Sequence, residues 1–225
     1  MRSTDLTAAA RIRDAAIDQF GQHGFTVSVR AIAEAAGVSP GLVIHHFGSK
    51  EGLRTTCDEH VAKLIRTSKS ESVQSHDPAR WFAAMAEIEE FAPAMAYLVR
   101  SMQAGGELAK KLWRSMFENT ANYIEDGVQA GTIKPSRDPK ARARFLAMSN
   151  GGGFLLYLQL HERPDDMRAV LHDYARDMVL PALELYTEGL MTDSVVYDAF
   201  LAQQEQENAV PEATQGDQDD RVSAV

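Results

Sequence analysis

The amino-acid sequence predicts an all-α protein in which a small N-terminal domain of three helices precedes a larger helical domain. Three observations support this fold class. Apolar residues recur at the three- and four-residue spacing of amphipathic helices over most of the chain. The sustained polar–apolar alternation that is typical of half-buried strands is absent. Glycine, proline and serine interrupt the apolar stripes at positions that suit helix ends.

The first helix is predicted from about Asp5 to His23. One of its faces is apolar and is formed by Leu6, Ala9, Ile12, Ala16, Ile17 and Phe20. Glycines at 21 and 24 loosen the end of this helix, and Phe25 is expected to return and pack on the apolar face.

Residues 28–50 predict two short helices joined by a tight turn, which is the pattern of a helix-turn-helix. Ser28 is expected to cap the first helix, and Gly37 is expected to end it in the left-handed conformation. Ser39 then caps the second helix, with Pro40 in the first turn, where the missing N–H is harmless. This second helix carries no Asp, Glu, Lys or Arg. In a helix-turn-helix it is the element that enters the DNA major groove.

Charge is distributed unevenly along the chain, whose formal net charge is −9. Residues 1–70 contain nine Lys and Arg against seven Asp and Glu, whereas residues 71–225 contain fourteen against twenty-five. The basic excess therefore coincides with the helix-turn-helix, and this favours DNA binding by the first part of the chain only.

The patterns divide the chain into four parts. Residues 1–50 are predicted to form the helix-turn-helix DNA-binding domain, residues 51–72 a connecting helix and residues 73–203 an all-helical domain, while the acidic tail at 204–225 is expected to be disordered. The connecting helix carries Leu53, Cys57, Val61, Leu64 and Ile65 on one face. Cys57 is the single cysteine, so it excludes an internal disulfide and favours the reducing cytoplasm. A packed thiol is favoured over a redox sensor there.

The larger domain is predicted to end in two long helices, at about residues 139–161 and 164–190. The first contains three consecutive glycines at 151–153, each of which costs roughly 1 kcal/mol relative to alanine inside a helix. They indicate either a close approach by another helix or a ligand, or a break in the helix.

Several classes of function lack support in the sequence. It shows no apolar run of transmembrane length and no signal peptide. It also shows no nucleophile–base pair, phosphate-binding loop or cluster of metal ligands. We therefore expect no enzyme activity, no cofactor and no metal, and no membrane partner. His45 and His46 are an unlikely metal pair, since adjacent helical residues point about 100° apart.

The stretch from Ile12 to Leu53 resembles the DNA-binding domain of TetR-family transcriptional repressors. The resemblance is carried, in order, by Ile12, Asp14-Ala15-Ala16, Phe20, His23-Gly24-Phe25, Ile32-Ala33, Gly37-Val38-Ser39, His46-Phe47, Lys50 and Leu53. It covers about a fifth of the chain.

The resemblance implies roles in DNA binding. Arg30 aligns with a position that can reach a base, and an arginine can bond bidentately to guanine O6 and N7. Pro40, Gly41, Ile44 and His45 would face the groove. Phosphates would be held by Ser28, Ser39, His46 and Lys50. The family often carries tyrosines in the middle of the recognition helix, where this chain has residues 43–45 (Val-Ile-His). That departure motivates the alternative of a small-molecule- or protein-binding module that has lost DNA binding.

The resemblance also implies a cavity for a small apolar or aromatic effector in the larger domain. The candidate lining residues are Trp81, Met85, Phe91, Met102, Trp113, Met116, Phe117, Tyr123 and Phe154. The alternative is that this aromatic and methionine stripe is plain core.

A homodimer through the last two long helices is the other implication of the resemblance. The apolar surface would come from Phe154, Leu155, Tyr157, Leu158, Leu171, Tyr174, Met178 and Leu185. A two-fold dimer predicts a palindromic operator, which a repressor would leave when the effector binds.

Overall fold

A computed structural model describes residues 8–209 of the chain, and its regular structure is entirely helical. The helices are α1 (Ala8–His23), α2 (Val29–Ala35), α3 (Pro40–Phe47), α4 (Lys50–Val73), α5 (Pro78–Ala86), α6 (Ala92–Gln103), α7 (Gly106–Gln129), α8 (Pro139–Leu160), α9 (Met167–Glu188) and α10 (Val195–Ala209), with a 3-10 turn at Ile88–Phe91. No strand occurs in the described part of the chain. The predicted all-α class is confirmed.

The chain forms two compact units, whose described parts are residues 8–178 and 179–209. The division falls inside α9. The boundaries predicted after residues 50 and 72 do not coincide with it, because α6 packs on α1 and shares its core. The first unit therefore contains both the helix-turn-helix and most of the larger helical region.

The helix-turn-helix forms as the local sequence predicts. Ser28 and Ser39 cap α2 and α3, since their hydroxyl oxygens accept hydrogen bonds from the backbone N–H groups of Ala31 and Leu42, both at 3.2 Å. Gly37 has a φ of +66°, which only glycine adopts without strain. Local bonds thus define the ends of both helices and the turn between them.

Helices α1, α2, α3, α4 and α6 share one hydrophobic core. It contains the fully buried side chains of Ile12, Phe20, Ile32, Val43, Leu53, Cys57 and Tyr97. Tyr97 comes from α6, while the others belong to the first four helices. Phe25 packs against this core, as predicted, with its ring centroid 5.3 Å from that of Phe20. Because this core is closely packed, a movement of α6 would displace the DNA-binding helices directly.

The α1–α6 contact is close because Gly21 has no side chain. A Cβ atom at Gly21 would lie 3.0 Å from the backbone nitrogen of Tyr97 and 3.1 Å from the Cβ of Ala96. The Arg100 Nε also donates a hydrogen bond to the Gly21 carbonyl at 3.2 Å. Backbone thus meets backbone here, and the two helices are fixed against each other.

The three consecutive glycines do not break α8, which continues from Pro139 to Leu160. A Cβ at Gly151 would lie 3.4 Å from the Trp113 ring on α7, so this glycine marks a close approach of two helices. Among residues 8–209, no atom from outside the same stretch of helix lies within 4 Å of the corresponding positions at Gly152 and Gly153. The interpretation as a helix break is wrong, and the close approach is confirmed for the first glycine.

The face of α8 that was predicted to form the dimer surface is buried within the chain. Phe154, Leu158 and Leu171 are buried inside the chain, in a cluster that α6, α8 and α9 form together. Placing these three residues on an intersubunit surface was therefore wrong. The opposite face of α8 is exposed instead, and it presents Phe145, Met148, Leu156 and Leu160.

Several predicted boundaries shift. In the described part, α1 begins at Ala8, and the predicted start at Asp5 lies outside that part. The connecting helix α4 runs on to Val73 and leaves only a short turn before α5. Helix α10 extends to Ala209, so residues 204–209 are helical rather than tail, and residues 210–225 lie outside the described part.

Candidate DNA-binding interface and regulatory region

The outer face of α3 is open to solvent. Its inner side chain, Val43, is fully buried and anchors the helix in the core. Pro40, Gly41, Ile44 and His45 are all exposed, and Ile44 is a large apolar side chain that is 43% accessible. The structure therefore brings the four predicted groove-facing residues onto one accessible surface.

Arg30 lies on α2 beside this surface. Its side chain is exposed, and within residues 8–209 it makes no hydrogen bond or ion pair. Ser28, Ser39 and His46 are exposed as well. The two serine hydroxyls accept capping bonds, and each keeps its own proton to donate to a phosphate oxygen. Three hydroxyl or imidazole groups and one guanidinium are thus exposed on α2, on α3 and at the caps of these two helices.

Lys50 differs from the other predicted contacts because it already serves the fold. Its Nζ donates a hydrogen bond to the Phe25 carbonyl at 2.6 Å and lies 6.0 Å from the centroid of the Phe20 ring. The Arg54 guanidinium stacks on the other aromatic ring, 3.5 Å from the centroid of Phe25. These two cations fix the loop after α1 to α4, and a phosphate contact by Lys50 stays a prediction.

The two histidines of α3 do not make a metal site with a third ligand. The ring centroids of His45 and His46 are 5.5 Å apart. Across residues 8–209, no group of three or more His, Cys, Asp or Glu side chains is arranged to hold a metal ion.

The predicted effector residues fall into separate neighbourhoods. Trp113 and Phe117 of α7 have ring centroids 6.1 Å apart, and Met116 joins Trp113 against Gly151 of α8. Phe91 and Phe154 belong instead to the cluster of α6, α8 and α9. Trp81, Met85, Met102 and Tyr123 lie outside both buried clusters and are half-buried. Phe154 alone among the nine candidates is buried.

Tyr97 connects α6 to α4. Its hydroxyl donates a hydrogen bond to the Asp58 Oδ1 at 2.7 Å, and its ring packs 5.7 Å from that of Phe25, centroid to centroid. Burial raises the pKa of the Asp58 carboxyl, although the Tyr97 hydrogen bond opposes that rise. No feature of the sequence singled out Tyr97 as a link between α6 and α4.

The neighbouring cysteine is a packed side chain. Cys57 is fully buried, and burial raises the pKa of its thiol to about 12. A thiol of that kind stays protonated and is a poor redox sensor. The predicted packing role therefore fits the geometry.

A cavity of about 500 Å³, whose lining includes several charged side chains, lies where α8 ends and faces α9. In its wall the His161 Nε2 is 3.1 Å from the Asp173 Oδ2, and Arg176 forms ion pairs with Asp173 and Asp177. The Tyr157 hydroxyl donates to Asp177 at 2.7 Å. These groups satisfy one another, and none of the nine predicted effector residues lines this cavity.

The described helices define a helix-turn-helix protein with a large helical second region. Comparisons with known proteins identify the family to which it belongs. Residues 12–56 match the family described as bacterial regulatory proteins, tetR family. Residues 89–192 match the family described as tetracyclin repressor-like, C-terminal domain.

Similar proteins agree with these matches. The chain is 68% identical over 209 residues to the HTH-type transcriptional regulatory protein RaaS of Mycobacterium tuberculosis, an alignment that covers 93% of this chain and 99% of that protein. It is 27% identical over 179 residues to the A-factor receptor protein of Streptomyces griseus, covering 76% and 62% of the two chains. The chain belongs to the TetR family. It is a DNA-binding transcriptional regulator, and proteins of this class are not enzymes.

Solved structures show the same fold. One described as the molecular basis for control of antibiotic production by bacterial hormones matches with a TM-score of 0.55 and 22% identity, covering 80% of this chain and 98% of that one. SmeT, the repressor of the Stenotrophomonas maltophilia multidrug efflux pump SmeDEF, matches with a TM-score of 0.51 and 22% identity, covering 80% and 92%.

No helix within residues 8–209 combines the length and apolarity needed to span a bilayer.

Proposed function

We propose that this regulator is a homodimeric repressor that reads a palindromic operator in the cytoplasm and leaves it when a small apolar or aromatic effector binds. The observation that carries the proposal is the accessible face of α3, with an unpaired arginine beside it on α2. An exposed helix face of that kind, anchored from behind by Val43, is what a recognition helix requires.

Base contacts and phosphate contacts are assigned to different residues. Ile44 gives apolar contact to a thymine methyl group, and Pro40 and Gly41 let the backbone approach the bases. His45 faces the same groove. Arg30 reaches a guanine edge, while the hydroxyls of Ser28 and Ser39 bind phosphate oxygens, with His46 and Lys50. The uncharged α3 surface reads shape and methyl groups, and the arginine supplies the strongest discrimination.

Replacing Arg30 by alanine is expected to weaken operator binding by roughly 1–3 kcal/mol and to relax discrimination at one base position, since a bidentate contact is lost. The measurement is fluorescence anisotropy on the operator and on single-base variants at fixed salt. Arg114→Ala is the control, because Arg114 is an exposed arginine of α7 without a polar partner in the described chain. Equal losses for both variants, or none for Arg30→Ala, would remove Arg30 from base readout.

The dimer is proposed to form through the exposed face of α8. Phe145, Leu156 and Leu160 are 68%, 57% and 77% exposed, far more than large apolar side chains usually are in a monomer. Gly152 lies in the middle of this face and has open space beside it, so a second helix can approach closely. A two-fold copy would cover the same residues on both subunits and place two α3 helices on one side of a palindrome.

The effector is proposed to bind among the half-buried aromatic and methionine side chains of α5 and α7. Trp113, Met116 and Phe117 already form one contiguous patch there. Binding would favour a conformer in which α6 moves and carries α1 with it, and that movement would change the spacing of the two recognition helices. The A-factor receptor protein is, by its name, a receptor, and this supports an effector for the present chain by analogy.

A further inference from the structure

Helix α10 presents an apolar face to solvent. Its large apolar side chains are between 53% and 69% exposed, and they are Val195, Val196, Tyr197 and Phe200. The last three share one side of the helix, because they are spaced three or four residues apart. From residue 179 to residue 208 no side chain is buried. A helix of 15 residues is marginal in water when it packs on nothing, so α10 needs a partner surface.

The segment that contains α10 carries only negative charge. Residues 179–209 contain six Asp and Glu and no Lys or Arg. Residues 210–225 add four carboxylates and a single arginine, so the tail does not complement the charge of α10. Two α10 helices placed against each other would bring like charges together, which is also unfavourable. The surface that suits α10 is therefore apolar and basic.

The first half of α8 has both properties. Phe145 and Met148 are exposed large apolar side chains. Arg144 and Lys140 lie four and eight residues before Met148, so the two cations border the apolar side chains on the same part of the helix. Both cations are exposed and have no polar partner within residues 8–209. Residues 134–144 as a whole contain five Lys and Arg against one Asp.

A second copy of the chain is the partner that the position of this surface favours. Met148 and Phe145 lie one and two turns before Gly152, where a second α8 is proposed to cross, so the surface continues the proposed dimer face. Within one chain the apolar faces of α8 and α10 both stay open to solvent. The match to the family C-terminal domain ends at residue 192, so α10 lies beyond the part of the chain that defines the family.

We propose that α10 is an arm that packs on the first half of α8 in a second copy of this chain. Tyr197 and Phe200 cover Phe145 and Met148 of the partner subunit, and the carboxylates of α10 lie beside the two cations of that helix. In a two-fold dimer the exchange occurs twice, once for each arm. The proposal rests on the homodimer given under Proposed function, and it adds a second contact between the subunits.

Cysteine cross-linking between two differently substituted chains tests the contact. Full-length Met148→Cys and Phe200→Cys chains are co-expressed with different tags, and the mixed dimer is treated with a mild oxidant. We expect the mixed disulfide to form at least about tenfold faster than when Ala202→Cys replaces Phe200→Cys, because only side chains that meet can be bridged. Ala202 is the control, since it is exposed and lies on the opposite side of α10. Cys57 is fully buried and does not compete.

The charge match is tested in the same assay. Adding Arg144→Glu to the Met148→Cys chain is expected to slow the mixed disulfide at least about threefold, because the acidic arm then meets a carboxylate. Arg114→Glu is the control, since Arg114 is an exposed arginine of α7. An unchanged rate with Arg144→Glu, or equal slowing by both substitutions, would overturn the charge match.

A Leu156→Cys chain reports the contact between the two α8 helices separately, because two copies of this cysteine lie near the two-fold axis. If Leu156→Cys cross-links while Phe200→Cys reacts no faster than Ala202→Cys, the arm is overturned and the proposed dimer stands. If the mixed disulfide forms and Leu156→Cys does not cross-link, the arm is supported and the proposed α8 interface fails. No disulfide of either kind overturns both.

Discussion

Replacing Leu156 by aspartate is expected to dissociate the dimer and to lower operator affinity at least about 100-fold. The two-fold axis would bring two new carboxylates together in an apolar interface, and like charges placed against each other cost several kcal/mol. Loss of the dimer also separates the two recognition helices, so that each binds one half-site alone. Within a single chain Leu156 is 57% exposed, and the substitution is therefore not expected to disturb the protomer.

Analytical ultracentrifugation across a concentration series measures this effect, with circular dichroism to show that the helices are retained. Phe82→Asp is the matched control, since Phe82 is a 73% exposed apolar side chain on α5, away from the proposed interface. A Leu156→Asp protein that stays dimeric with full operator affinity would exclude this face of α8 as the interface.

Replacing Tyr97 by alanine is expected to lower the free energy of unfolding by about 3–5 kcal/mol, the range found for large aromatic side chains deleted from a core. The Tyr97 side chain is fully buried and packs on Phe20 and Phe25. Tyr97→Phe keeps the ring and removes only the hydroxyl that donates to Asp58, so its cost is expected to be about 1–2 kcal/mol. Urea denaturation of the three proteins gives both numbers.

The pH dependence of the Tyr97→Phe cost identifies its cause. In the folded protein burial raises the pKa of Asp58 above its ordinary value of 3.8, so the carboxyl takes up a proton on acidification before an unfolded aspartate does. The hydroxyl bond is worth most to the ionised carboxylate. The cost is therefore expected to be largest near neutral pH and to shrink as the pH falls through the folded pKa of Asp58. A cost that is independent of pH would assign the loss to packing.

The DNA-binding half of the fold was accessible from sequence because the signals there are local. Capping by Ser28 and Ser39 and the positive φ of Gly37 depend on residues only a few positions away. The exposure of Pro40, Gly41, Ile44 and His45 follows from the burial of one side chain on the same short helix. The caps and the glycine conformation do not depend on tertiary structure, whereas the burial of Val43 does.

The arrangement of the long helices could not be read in the same way. Apolar side chains occur on both faces of α8, so periodicity does not show which face meets α6 and α9 and which is left open. Phe154 was assigned to two surfaces and lies in the core.

Dimeric operator reading is tested by selecting binding sites from a random DNA library with the purified full-length protein, at two salt concentrations. A dimeric operator reader is expected to enrich one palindrome whose half-sites are separated by about one helical turn, with an affinity that falls steeply as salt rises. Leu156→Asp should fail to enrich the same palindrome. Enrichment of a single unpaired half-site by the unmodified protein, or of no sequence at low salt, would contradict a dimeric operator reader.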